Sequence, residues 1–244
     1  LFCIDNQSIA KAVRFYTYSS GNLIAIRQIK MGASEKQKLK RYEEIFNSTS
    51  HGVGVLIAIA CTAIIVTRAA LRGDAWHIVS YSIFGAGMIV LYSASTLFHG
   101  SRNVRKKIKL NIFDHSSIYI LIAATYTPFT LVAIRSPLGW VLFGIIWGLA
   151  IAGIVYKVWF YSMKWRNLST ILYGAMGWMF IMAIVPIVRN LPTISLVFLL
   201  TGCLTYSLGI FFYIKHEIPF FHGIFHLFVL AGSICHFFAL VFMV

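Results

Sequence analysis

Residues 138–157, LGWVLFGIIWGLAIAGIVYK, contain no charged side chain before their last position. A helix that crosses the hydrocarbon core of a bilayer needs about 20 mainly apolar residues, and this stretch supplies them. Six other stretches share its length and apolar character: 51–70, 76–98, 111–133, 168–188, 194–214 and 222–243. Backbone polar groups inside lipid must be satisfied within their own segment, so we predict seven transmembrane α-helices.

The overall composition agrees with a membrane protein. Hydrophobic residues make up 59% of the chain and charged residues 11%, and the mean hydropathy is +0.80. Soluble domains contain roughly 25% charged residues. The strands of a membrane β-barrel would appear as segments of about 10 residues with alternating polarity, whereas the apolar runs here are long and continuous. We therefore predict an all-α, seven-helix integral membrane bundle.

The positive charges predict the orientation of this bundle. With the N-terminus in the cytoplasm, 17 Lys and Arg residues fall on the cytoplasmic side and 4 on the outside. The positive-inside rule therefore places the N-terminus in the cytoplasm and the C-terminus outside. A net charge of +14 arranged in this way favours anionic lipid of the inner leaflet as the partner rather than nucleic acid.

The N-terminal segment differs from the rest of the chain. We expect residues 1–40 to form a cytoplasmic tail and residues 41–244 to form the seven-helix domain. The first methionine is Met31, and residues 1–30 lack the sustained apolar core of a signal peptide. We favour an upstream extension with Met31 as the natural start; the alternative is a genuine, loosely ordered tail.

A set of polar residues is predicted to lie at one depth in the membrane. Ser95 and His99 end the second span, Asp114 opens the third, and His222 and His226 open the seventh. All five then lie near the cytoplasmic face. Side chains four residues apart share one helix face, so His222 and His226 can bind a single ion. Ionisable groups are costly in lipid and usually mark a functional site.

Three imidazoles with one free position form a familiar zinc site. We expect His99, His222 and His226 to be the ligands, and Asp114 to hydrogen-bond the bound water or to orient a ligand. Ser95 could do the same or position a carbonyl group. A lone histidine at the end of a span is more often an interfacial residue, so the argument depends on the whole group.

Two further polar features lie near these residues. Glu44, Asn47 and His51 share one stripe of the first span, in EEIFNSTSH. They either form a polar network beside the metal or only provide helix capping and interfacial polarity, with Asn47 and Ser48 as caps. His236 lies ten residues beyond His226, about 15 Å along the helix. We expect it to be buried and hydrogen-bonded between helices rather than to bind the metal.

Four motifs in this order resemble the hemolysin III family, the bacterial branch of the progestin and adiponectin receptor family. They are Glu44-x-x-Asn47-x-x-x-His51, Ser95-x-x-x-His99, Asp114, and His222-x-x-x-His226 within HGIFHLFVLAGSICHF. The resemblance covers residues 41–244. It implies a seven-helix bundle in the bacterial cell membrane with a cytoplasmic N-terminus, and zinc on His99, His222 and His226.

The resemblance also implies a reaction. Relatives of the family are similar to alkaline ceramidases, so zinc-dependent hydrolysis of a lipid amide is expected, with Asp114 as the general base and Ser95 steadying the oxyanion. Two alternatives remain open. One is a non-catalytic zinc protein that alters lipid composition or the state of the membrane. The other is a cytolytic pore-former, as the family name suggests.

Overall fold

The predicted spans appear as helices in a computed structural model, which describes residues 32–159 and 166–244. The helices are α1 (Ala33–Arg72), α2 (Ala75–Gly100), α3 (Val104–Pro128), α4 (Pro137–Trp159), α5 (Arg166–Gly177), α6 (Ile184–Asn190), α7 (Thr193–Ile214) and α8 (Phe221–Val241). A π-helical turn, Phe129–Ile134, extends α3, and a 3₁₀ segment, Met179–Ala183, joins α5 to α6. Within these two ranges, seven helical segments are long and apolar enough to cross a membrane, with α5 and α6 together forming the fifth. The described ranges contain no β-strand, so the all-α, seven-span prediction is confirmed.

The first helix is much longer than the predicted span. It begins at Ala33 rather than near residue 51 and runs for 40 residues, which is about 60 Å against a hydrocarbon core of about 30 Å. Hydropathy detects only the apolar part, whereas the preceding turns are polar and exposed but rich in strong helix formers. Residues 1–31, including the expected start at Met31, lie outside the described part of the chain.

The fifth span is interrupted instead of continuous. Pro186 has no backbone N–H and its ring crowds the carbonyl of Met182, which disfavours a regular helix at that point. The Tyr126 hydroxyl donates to the Gly177 carbonyl at 2.9 Å and accepts from the Phe180 N–H at 2.9 Å. This side chain satisfies backbone groups that the interruption would leave unpaired in lipid.

Close helix contacts bring the ends of α1, α2 and α8 together. α1 packs along α2, α2 along α3, α3 along α4, and α7 along α8, while α1 also packs against α8. Gly85 of α2 lies against Thr62 of α1, where a Cβ atom would come within 2.3 Å of the threonine side chain. Small residues allow membrane helices to approach closely, so α1 and α2 form a tight pair.

A polar clasp joins the two loops at the end of the bundle opposite Ala33. Asp74 caps α2 by accepting from the N–H groups of Trp76 and His77, and its carboxylate pairs with Arg135 Nη1 at 2.6 Å. The side-chain hydrogen bond from His77, supported by Arg135, holds the pKa of Asp74 below its usual range. The clasp ties the α1–α2 loop to the turn that follows α3.

Candidate metal centre

Three histidines from two helices meet at one end of the bundle. His99 lies in the last turn of α2, and His222 and His226 lie in the first turns of α8. The Nε2 atoms of His99 and His222 are 3.3 Å apart, and one ligand nitrogen from each of the three lies within 4.8 Å of the others. His99 and His226 are buried and His222 is partly buried. This group could hold a metal ion.

The separation of two of these nitrogens is compatible with a shared metal ion. Two nitrogens at about 2.0–2.1 Å from a tetrahedral zinc lie about 3.3 Å apart, which is the separation of the two Nε2 atoms. His99 Nδ1 contacts Glu44 Oε2 at 3.0 Å, and His226 Nδ1 contacts the Asn47 carbonyl at 3.3 Å. Both contacts engage Nδ1 as the donor, so each ring keeps the Nε2 lone pair for a metal.

Glu44 is the acidic residue among the groups that contact the Nδ1 atoms of these histidines. Its second carboxylate oxygen, Oε1, pairs with Lys107 Nζ at 2.7 Å. In the sequence Lys107 precedes the apolar stretch 111–133, so hydropathy places it outside the third span. In the structure α3 starts at Val104, so Lys107 is a helical residue whose side chain reaches Glu44.

Asn47 and His51 lie beside His226, as the network interpretation required. The His51 ring stacks on the His226 ring with centroids 3.7 Å apart and an interplanar angle of 11°. The capping interpretation of Asn47 and Ser48 was wrong, because α1 begins well before them. Sequence reasoning missed Ser50, whose Oγ lies 3.5 Å from His226 Nδ1; its place three residues after Asn47, on the same helix face, was the available signal.

A glycine on α8 allows α1 to come this close. A Cβ atom at Gly223 would lie 2.3 Å from the Phe46 ring and 2.8 Å from Asn47 Oδ1. Both distances are too short for a side chain, so a larger residue would have to displace the Phe46 ring, the Asn47 side chain or α8 itself. Because His222 and His226 flank Gly223, the histidine site depends on this contact.

Asp114 and Ser95 lie at the same end of the bundle as the histidines. Asp114 is buried on α3, and its Oδ2 is 3.8 Å from Nδ1 of the neighbouring His115. Ser95 is 1% exposed and its hydroxyl lies beside the Asp114 carboxyl. Within the described part of the chain this hydroxyl makes no hydrogen bond of normal geometry. Both residues line one cavity together with His222 and His226; their catalytic roles remain predictions.

Comparison with known proteins identifies the family. Residues 39–237 match the family described as Haemolysin-III related. The "Hemolysin-3 homolog" of Bacillus subtilis (strain 168) is 45% identical over 200 residues, which cover 82% of this chain and 93% of that protein. "Hemolysin-3" of Bacillus cereus is 43% identical over 202 residues, covering 83% and 92%. The human "Monocyte to macrophage differentiation factor" is 30% identical over 214 residues, covering 85% and 87%.

The chain belongs to the hemolysin III family. With its seven apolar helices and its bacterial relatives, this hemolysin III protein is a multi-pass protein of the bacterial cell membrane. The resemblance inferred from the sequence motifs is thereby confirmed. The family match also contains every residue of the histidine site.

The cavity of this hemolysin III protein runs from the polar end through most of the length of the bundle. Along α3 and its π turn, its lining extends from Asp114 to Ile134, which is about 30 Å of helix. Most of the side chains beyond the histidines are apolar, among them Leu91, Leu121, Phe129, Leu142, Leu199 and Val229. The site therefore combines a polar, metal-competent end with a long apolar interior.

His236 also lines this cavity. It is 2% exposed, as expected for a residue buried between helices. The expected hydrogen bond is not formed at Nδ1, which has no partner among the described residues. Gly202 of α7 lies against the other edge of the ring, where a Cβ would come within 2.9 Å of Cε1 and Nε2.

Proposed function

We propose that this hemolysin III family member is a zinc-dependent hydrolase that cleaves a lipid amide of the ceramide type. The observation that carries the proposal is a group of three histidines that could hold a metal ion, two of which, His222 and His226, line a long, mostly apolar cavity together with Asp114. A lipid amide has the matching shape, with a polar carbonyl group attached to an apolar chain. Pockets of this kind fix their ligand by a few polar groups in an apolar lining.

Each part of the reaction has a residue suited to it. Zinc held by the three histidines would polarise a carbonyl oxygen and make water more acidic. Asp114 takes a proton from the attacking water and gives it to the amide nitrogen as the C–N bond breaks. The Ser95 hydroxyl donates a hydrogen bond to the carbonyl oxygen that gains negative charge. The apolar lining holds the acyl chain and excludes bulk water.

We further propose that the site faces the cytoplasm. The bundle end that holds the histidines is also the end where α1 begins, and the positive-inside rule places that end inside. Lys36, Lys38, Lys40 and Arg41 are exposed on the first turns of α1. Basic side chains at this position suit contact with anionic lipid of the inner leaflet, the expected partner.

The proposal is tested with purified protein in phospholipid nanodiscs, by measuring zinc content and hydrolysis of a fluorescent ceramide in parallel. We expect His99→Ala and His226→Ala to lose both zinc and turnover. Asp114→Asn should keep zinc and lose turnover by about 100- to 10,000-fold, the usual contribution of a general base. His77→Ala serves as the matched control, because it changes a histidine of the polar clasp at the other end of the bundle. It should retain both zinc and turnover.

Two outcomes would contradict the proposal. Full ceramide turnover in Asp114→Asn would show that Asp114 is not the general base. Zinc binding without any lipid turnover in the wild type would favour the non-catalytic alternative. Pore formation has less support, because the cavity lining is mostly apolar, whereas a conducting channel needs polar groups along its length; ion conductance in proteoliposomes would support it.

A further inference from the structure

His236 is an ionisable residue deep in the membrane that the proposed reaction does not use. It lies ten residues beyond His226 on α8, about 15 Å further into the bilayer along the helix. It is 98% buried and its Nδ1 has no hydrogen-bond partner among the described residues. Such a residue in a membrane span is costly and is best explained by a functional partner.

The nearest polar side chains already have partners of their own. Ser233 accepts a hydrogen bond from the Tyr92 hydroxyl at 2.6 Å and pairs with the Tyr206 hydroxyl at 2.9 Å. Tyr206 packs beside His236 with ring centroids 5.2 Å apart, but its hydroxyl is directed to Ser233. Gly202 of α7 covers one edge of the imidazole and has no side chain to offer. These contacts leave Nδ1 of His236 without a partner among the described side chains, and the residue also lines the cavity.

The cavity around His236 is apolar on several sides. Phe129, Leu199 and Val229 line it together with the imidazole, and the Phe129 ring centroid is 6.5 Å from that of His236. A neutral imidazole offers one donor and one acceptor nitrogen. A hydroxyl group, which both donates and accepts, is the complement of such a ring.

We propose that His236 is a specificity subsite that hydrogen-bonds an oxygen substituent in the middle of a lipid chain. The preferred ligand is an acyl chain with a mid-chain hydroxyl, whose polar head lies at the histidine site. This inference rests on the proposed function only in placing an acyl chain in the cavity. It adds the class of chain that the site selects.

The distance between the two sites predicts the position of the hydroxyl. An extended chain advances roughly 1.2 Å per bond, and about 15 Å separates His226 from His236 along α8. The hydroxyl should therefore lie about twelve bonds from the head group. A hydroxyl close to the head would miss the imidazole and remain unpaired in the apolar part of the cavity.

The test compares three fatty acids binding to the zinc-loaded protein in nanodiscs: octadecanoic, 3-hydroxyoctadecanoic and 12-hydroxyoctadecanoic acid. We expect the 12-hydroxy acid to bind roughly 3- to 10-fold more tightly than octadecanoic acid, the effect of one additional hydrogen bond. The 3-hydroxy acid should show no such gain. His236→Phe should abolish the preference without weakening octadecanoic acid, and His236→Gln should retain part of it.

Phe129→Leu is the matched control, since it alters the apolar lining beside His236 and leaves the imidazole in place. It should weaken all three acids alike and preserve the preference. Equal binding of the three acids by the wild type would overturn the inference and leave His236 with an internal water only. An unchanged preference in His236→Phe would overturn it as well.

Failure of the inference is distinguishable from failure of the proposed function. A retained 12-hydroxy preference in a protein that hydrolyses no ceramide would contradict the hydrolase and support the subsite. Ceramide hydrolysis with no preference among the acids would support the hydrolase and contradict the subsite. Binding of none of the acids would overturn the acyl-chain cavity on which the subsite depends.

Discussion

Glu44 contacts the candidate metal centre through a single ring nitrogen of His99. Its Oε2 accepts from Nδ1 at 3.0 Å, which fixes the tautomer and directs Nε2 toward His222 and His226. Carboxylates in this position hold a histidine ligand in orientation and raise its basicity. From the sequence, Glu44 could equally have been an interfacial residue. Its contact with His99, 55 positions away in the chain, shows that Glu44 supports the histidine site and is not merely an interfacial residue.

Replacing this carboxylate should weaken the metal site without unfolding the protein. We expect Glu44→Gln to lower zinc affinity about 10- to 100-fold, as loss of a ligand's hydrogen-bond partner commonly does. Chelator competition gives the affinity, and the melting temperature of the zinc-free protein should stay unchanged. Glu35→Gln, an exposed carboxylate on the same helix, is the control and should bind zinc normally. Equal zinc affinity in Glu44→Gln and the wild type would show that Glu44 does not position His99.

The pairing of α1 with α8 shows how one element supports the site that another carries. α8 presents His222 and His226 on one face, with ring centroids 4.7 Å apart, but it contributes no acceptor for their Nδ1 atoms. α1 supplies the Asn47 carbonyl to His226 and stacks His51 on its ring. The long, partly polar α1 is therefore a wall of the site as well as a membrane span.

A methyl group at Gly223 should separate these two helices. We expect Gly223→Ala to destabilise the protein by about 1–3 kcal/mol through overpacking against Phe46 and Asn47, and to weaken zinc binding. Gly148→Ala on α4 is the matched control, since a Cβ there meets nothing within 4 Å. Alanine is the better helix former by up to about 1 kcal/mol, so the control should be neutral or more stable. Thermal unfolding in detergent measures both; normal stability and normal zinc affinity in Gly223→Ala would contradict the close-packing argument.

At the scale of the whole molecule, the bundle has two chemically different ends. The end where α1 begins carries the histidines, Glu44 and Asp114, whereas the other end carries the clasp of Asp74 with His77 and Arg135. The cavity opens from the first end into the apolar interior. Orientation in the membrane therefore decides which compartment the histidine site faces.

Labelling of single cysteines in intact cells measures this orientation. In a variant whose own cysteines are replaced by alanine, Thr193→Cys and Arg102→Cys place exposed thiols at the two ends. With the N-terminus inside, a membrane-impermeant maleimide should label Thr193→Cys and leave Arg102→Cys unlabelled. Both should react after permeabilisation, which controls for thiol access. The opposite pattern in intact cells would place the histidine site outside.

Several features of this protein could be predicted from the sequence because their causes are local. Hydrocarbon forces apolar stretches to form helices, so the seven spans follow from composition and length. The spacing of His222 and His226 places them on one helix face wherever α8 lies. The polar start of α1, in contrast, has no apolar signal, so its length could not be seen from hydropathy.

Composition, motifs and residue spacing are enough to predict an all-α, seven-helix membrane protein of the hemolysin III family with a group of polar residues at one depth. How those residues meet depends on the packing of the helices, which the structure reveals. This packing placed Glu44 on His99, His51 on His226, and His236 in the cavity wall, with no partner for its Nδ1 among the described residues. These contacts join residues far apart in the chain, and they depend on helix separations that are set by small side chains such as Gly85, Gly202 and Gly223. Residue spacing fixes the geometry within a helix, whereas contacts between helices follow from how their surfaces pack.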